Sequence, residues 1–109
     1  MTIEETIRDQ LASHPVLLYM KGVPQAPQCG FSAKVVEALQ TTGVPYAYVN
    51  ILQAPMIREK LPSISQWPTF PQLFIKGELV GGSDIVSEIA EKGELKAMLE
   101  SAVADQTAG

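Results

Sequence analysis

The chain has 109 residues, 46% of them hydrophobic, which supplies one compact core and leaves no room for a second domain. A formal net charge of −4, a pI near 4.8 and the lack of any clustered basic run exclude a surface built to hold a nucleic-acid backbone. No stretch has the length of a bilayer span, and Met1–Ile7 lacks the cationic and apolar regions of a secretion signal, so no membrane association and cytoplasmic residence are expected. The single cysteine cannot close an internal disulfide, which agrees with a reducing compartment.

An opening helix is predicted over residues 2–13, with Ile3, Ile7 and Leu11 on one face, Thr2 as its N-cap and Pro15 beyond its end. Val16 to Met20 reads as a buried strand. A loop over residues 22–28 follows, stiffened by Pro24 and Pro27. The next helix carries Val35, Val36 and Leu39 on one face, and Gly43 stops it. Tyr46 to Ile51 is a strand by composition, and Pro55 to Leu61 a short helix opened by its proline. The two prolines in Trp67-Pro68-Thr69-Phe70-Pro71 break regular structure. Leu73 to Ile75 and Leu79 to Gly81 then form a hairpin about Lys76-Gly77-Glu78. Gly81-Gly82-Ser83-Asp84 leads into a helix through Ile85, Val86, Ile89 and Ala90, and Gly93-Glu94 passes to a last helix containing Leu95, Met98 and Leu99. The strand–helix–strand unit is expected to be parallel and right-handed, and the late hairpin antiparallel. The result is an α/β, thioredoxin-like fold with a mixed four-stranded sheet flanked by helices.

Cys29 falls where strand and loop hand over to a helix. Free backbone N–H groups and the positive end of the helix dipole favour an anionic sulfur there, and a thiolate is both a nucleophile and a metal ligand. Most lone cysteines are buried and inert. Gly30 argues otherwise, because it removes a side chain beside the sulfur and lets a ligand approach. His14, solitary before Pro15, is given no metal or base role, and Met20, Met56 and Met98 are assigned to packing rather than to ligation. Trp67 is either a cap over the site or an edge of the core, and as an aromatic next to Pro68 it is assigned to the core.

Lys21-Gly22, Pro27, Cys29-Gly30-Phe31-Ser32, Trp67-Pro68-Thr69-Phe70-Pro71-Gln72 and Gly81-Gly82-Ser83-Asp84, in this order on this element pattern, resemble the monothiol glutaredoxins of the CGFS class, in particular the single-domain bacterial members. The resemblance covers residues 1–103 as a glutaredoxin domain and leaves 104–109 as a flexible tail. It implies binding of glutathione and of a 2Fe-2S cluster shared between two subunits. It also implies a role in iron–sulfur cluster transfer and assembly, with BolA-type and cluster-acceptor proteins as partners. Such a cluster takes four thiolate-type ligands. Two copies of the chain supply two, one Cys29 each, and two glutathione thiols are the natural source of the others. The homodimer is therefore expected only when cluster-loaded.

The same resemblance assigns Lys21 and Arg58 to the glycyl carboxylate of glutathione. Phe70 and Pro71 match a pair joined by a cis bond, which turns the Phe70 backbone toward an extended peptide, and Thr69 supports that segment. Gly82, Ser83 and Asp84 open a helix whose N–H groups cradle a carboxylate, and the Asp84 side chain takes the γ-glutamyl ammonium. Plain N-capping by Ser83 or Asp84 is the alternative at that position. Some relatives carry a second cysteine where this chain has Ser83, so the corresponding disulfide with Cys29 is not available.

A rival function is a glutathione-dependent thiol-disulfide oxidoreductase using Cys29 alone. Dithiol relatives place a second cysteine where this chain has Ser32, so resolution within the chain is impossible. That, with the stiff loop over residues 22–28, favours the carrier over the enzyme. A thioredoxin-like adaptor without redox chemistry leaves the thiol at the helix N-terminus unexplained.

Overall fold

In the computed structural model the backbone is described for residues 1–108 and the side chains for residues 1–105. The first helix, α1 (Ile3–Ser13), opens with a complete capping box: the Glu5 N–H donates to the Thr2 hydroxyl, and the Thr2 N–H to the Glu5 carboxylate. Strand β1 (Val16–Met20) follows and is buried at every position. It lies inside the sheet, pairing in parallel with β4 (Ala47–Asn50) and antiparallel with β5 (Gln72–Ile75). Strand β6 (Glu78–Gly81) completes the order β4-β1-β5-β6. The expected mixed four-stranded sheet is therefore present.

Because side chains alternate along a strand, β1 feeds two cores. Val16, Leu18 and Met20 face α2 (Gly30–Thr42), α4 (Ser83–Glu91) and α5 (Leu95–Ala108), meeting Val35, Leu39, Val86 and Leu99. Leu17 and Tyr19 face α1 and α3 (Pro55–Ser65), meeting Ile7, Ile57 and Leu61. Each such buried aliphatic side chain contributes about 1.5–3 kcal/mol, so both faces of β1 are fixed by the same five residues. Tyr19 stands edge-on to Phe74, with ring centroids 5.6 Å apart, and its hydroxyl donates to Gln10 at 2.8 Å. A Lys60–Glu4 ion pair of 3.0 Å joins α3 to α1, and Lys76 pairs with Asp105 across the hairpin turn to α5.

Several elements differ from the sequence reading. The loop over residues 22–28 folds back as a small hairpin, β2 (Gly22–Val23) on β3 (Ala26–Pro27). The strand expected from Tyr46 begins one residue later and gives way at Ile51 to a 3-10 turn over Ile51–Gln53. Helix α3 continues through Pro62 to Ser65, where the expectation stopped at Leu61. A proline costs the helix one N–H donor, but Gln66, in the left-handed conformation, closes the end by donating to the Pro62 carbonyl at 2.9 Å. Helix α5 runs on to Ala108, across positions assigned to the tail; Gly109 lies outside the described residues. Met56 is 65% exposed and does not pack as expected. The hairpin turn holds Lys76 and Gly77 both at positive φ, and β6 carries a bulge: Leu73 faces Gly81 while Phe74 faces Leu79, so Val80 has no partner. Among the described residues, no helix is long and apolar enough to cross a membrane.

Candidate functional site

Helix α2 starts at Cys29, which occupies the N-cap position in extended conformation and makes no side-chain cap bond. The sulfur is partly exposed. Its thiol is held below the ordinary range chiefly by the Ser32 backbone N–H, opposed by partial burial and helped by the Phe31 N–H, the Lys21 charge and the Ser32 hydroxyl. The first turn of α2 contains no acidic residue to counter this. The position of Cys29 thus does what the sequence implied: it favours the thiolate.

Lys21 leaves the end of β1 with its backbone fixed on both sides. Its N–H donates to the buried Ser32 hydroxyl at 3.1 Å, and its carbonyl accepts from the Gln28 N–H at 2.9 Å. Gly22 follows at φ 92°, and a Cβ there would come within 2.7 Å of the Ala26 carbonyl oxygen and 2.8 Å of the Gln28 nitrogen. Only glycine lets the small hairpin close so tightly behind the thiol.

The remaining wall comes from three other elements. Arg58 projects from α3, exposed. The Trp67–Pro71 segment is held by Gln72 of β5, whose amide donates to the Trp67 carbonyl at 2.9 Å and the Thr69 carbonyl at 3.1 Å. The Phe70–Pro71 peptide is cis. Opposite, Gly82 is the N-cap of α4 and offers no side-chain cap bond, which leaves the first N–H groups of that helix, from Ser83 onward, without a capping side chain. The expectation that Ser83 or Asp84 caps the helix is corrected by this: both lie inside its first turn. The Ser83 hydroxyl is buried and has no hydrogen-bond partner among the described residues, while Asp84 is exposed.

Together these elements enclose an open cleft of about 750 Å³. All nine positions singled out from the sequence line it: Cys29, Lys21 and Arg58, then Thr69, Phe70 and Pro71, and Gly82, Ser83 and Asp84 at the start of α4. Trp67, assigned to the core edge, also lines it, half-buried. A Cβ on Gly82 would sit 3.2 Å from the Pro71 oxygen and 3.3 Å from Trp67 Nε1, so the bare backbone at Gly82 sets the width of the cleft at that end. Ser32 and Gln72 were missed as supports. Buried polar side chains next to a motif are the signal that finds them, and burial is not written in a single sequence.

Residues 16–80 match the family model described as Glutaredoxin. The chain belongs to the glutaredoxin family. A probable monothiol glutaredoxin from Legionella pneumophila is 59% identical over 88 residues, covering 81% of this chain and 99% of that protein. Glutaredoxin 4 of Escherichia coli K12 is 53% identical over 103 residues, 94% of this chain and 90% of that one. The crystal structure of a buckwheat glutaredoxin–glutathione complex superposes with a TM-score of 0.78 at 25% identity, over 95% of this chain and 98% of that one. This glutaredoxin is of the monothiol type, with Ser32 where a dithiol member has its second cysteine, and its fold is the family's thioredoxin-like one.

Proposed function

We propose that this glutaredoxin binds glutathione in the cleft and, as two copies, holds a 2Fe-2S cluster as cargo for transfer to iron–sulfur acceptor proteins in the cytoplasm. The observation that carries the reading is the company Cys29 keeps. One accessible, thiolate-favoured sulfur shares a cleft with two cations, Lys21 and Arg58, neither ion-paired among the described residues. The same cleft holds a helix N-terminus with a buried hydroxyl, Ser83, that is unpartnered among the described residues.

This set fits glutathione end to end. The cations take the glycyl carboxylate, the α4 N–H groups and the Ser83 hydroxyl take the γ-glutamyl carboxylate, and Asp84 takes the adjoining ammonium. The glutathione thiol then lies beside Cys29. One chain holds a single protein thiolate, so the four ligands of a 2Fe-2S cluster require two chains and two glutathiones. A BolA-type protein replaces one copy in the mixed assembly of this proposal.

Anaerobic purification with glutathione, followed by a visible spectrum, iron and sulfide counts, thiol analysis and light scattering, tests it. A cluster-bearing dimer with two glutathiones is expected, and the apo chain is expected to be monomeric. A stable loaded monomer, or a loaded dimer free of glutathione, contradicts the ligand arithmetic.

A second reading has its own observation, the lowered thiol of Cys29. The Cys29 thiolate attacks the glutathione sulfur of a mixed disulfide, the substrate thiolate leaves, and a second glutathione thiolate regenerates Cys29 while forming glutathione disulfide. Turnover of small disulfides well below that of a dithiol glutaredoxin is expected. Equal rates would put the enzyme first.

A further inference from the structure

We propose that Asn50 is the positioning residue that sets the spacing of the two cleft cations, Lys21 and Arg58. The proposal rests on the glutathione reading of the cleft. Asn50 ends β4 opposite Met20, and its side-chain oxygen accepts two N–H groups from segments far apart in the chain. One is the Gly22 N–H at 2.9 Å, directly after Lys21, and the other is the Leu52 N–H at 3.0 Å.

Each bond starts a chain of restraint. On the first side, the Gly22 bond adds to those already made by the Lys21 N–H and carbonyl, so three consecutive backbone groups at the end of β1 are held by Ser32, Gln28 and Asn50. On the other, the Leu52 bond caps the 3-10 turn, the Ala54 N–H donates to Ile51 at 3.3 Å, and the Arg58 N–H donates to Ala54 at 3.0 Å. One carboxamide oxygen is therefore the common origin of both cations' backbones. A carboxylate bound by two charges at once needs their separation fixed in advance, since ordering them on binding would be subtracted from the affinity.

Asn50→Ser separates the two bonds. A hydroxyl one bond shorter still caps the local turn but does not bridge to Gly22. The expected result is a folded chain that binds glutathione about fivefold more weakly by calorimetry, the scale of one lost hydrogen bond. Asn50→Asp keeps both acceptor contacts and should bind glutathione within about threefold of the parent chain at 0.15 M salt. Wild-type affinity in Asn50→Ser would overturn the proposal, as would equal loss in both variants. If the parent chain itself fails to bind glutathione, the cleft reading falls, whereas the Gly22 amide still judges the Asn50 bridge. Amide exchange of Gly22 in the parent chain needs no variant: protection is expected, and exchange at the rate of a free amide refutes the bridge.

Discussion

The N-termini of α1 and of the two cleft helices are built in opposite ways. α1 opens with a reciprocal Thr2–Glu5 box, neither member of which lines the cleft. α2 and α4 begin at Cys29 and Gly82, and neither has a side-chain cap. A missing cap costs about 1 kcal/mol. The chain accepts that cost where the orphan N–H groups face the cleft and removes it where they do not. Stability and binding draw on the same backbone donors, and the residue placed at the N-cap decides which of the two they serve.

The comparison breaks most sharply at Cys29. Cys29→Ser should retain no stoichiometric iron or sulfide after anaerobic loading, because Cys29 is the chain's one thiol, and still melt cooperatively, because a serine hydroxyl at the N-cap nearly preserves the volume and accepts from the same first-turn N–H groups. Gly82→Ala places a methyl group against Pro71 and Trp67 and should weaken glutathione binding about tenfold by calorimetry, in line with the 1–3 kcal/mol scale of overpacking. Ser32→Ala leaves the Lys21 N–H without its acceptor, so a stability loss of about 1–3 kcal/mol in urea is expected with cluster loading retained. Thr2→Ala removes the closed cap and should cost about 1 kcal/mol with glutathione affinity unchanged, which sharpens the contrast. The smallest effect is one of pH. Because folding lowers the Cys29 pKa, its stabilising contribution is full above the unfolded thiol's value and fades as pH falls through the folded one. The stability difference between the parent chain and Cys29→Ser should therefore be larger at pH 9 than at pH 6; a flat difference would show that folding leaves the thiol unperturbed.

Regular elements were legible wherever one residue type has one physical consequence. Val16–Met20 could only be a strand covered on both faces, and Gly43, at φ 71°, ends α2 as its position implied. The nine cleft residues were legible for another reason: motifs on loops and helix starts keep their order while the fold brings them together. Hairpin β2–β3 was missed because two-residue strands carry no periodicity. Helix α3, expected to end at Leu61, runs on through Pro62, because a proline costs one bond and the packing of Ile57 and Leu61 holds the helix. An aromatic next to Pro68 reads as core edge or as a cap over the site, and Trp67 lines the cleft against Gly82, a neighbour fifteen positions away that no local pattern reveals. Asn50 and Ser32 look like ordinary polar residues until their distant donors, Gly22 and Lys21, are known.

The bulge in β6 acts as a phase shifter between the sheet and α4. Val80 is an uneven residue in the count: it adds one position to β6 without adding a rung to the ladder. Everything after it is delivered to the face opposite to the one a regular strand would give, and Gly82 and Ser83 are delivered to the cleft. A conservative exchange at Val80 leaves this parity intact. Deleting its codon would tidy the ladder, invert the parity and turn the start of α4 away from Cys29, so the length of β6 is under tighter control than its composition.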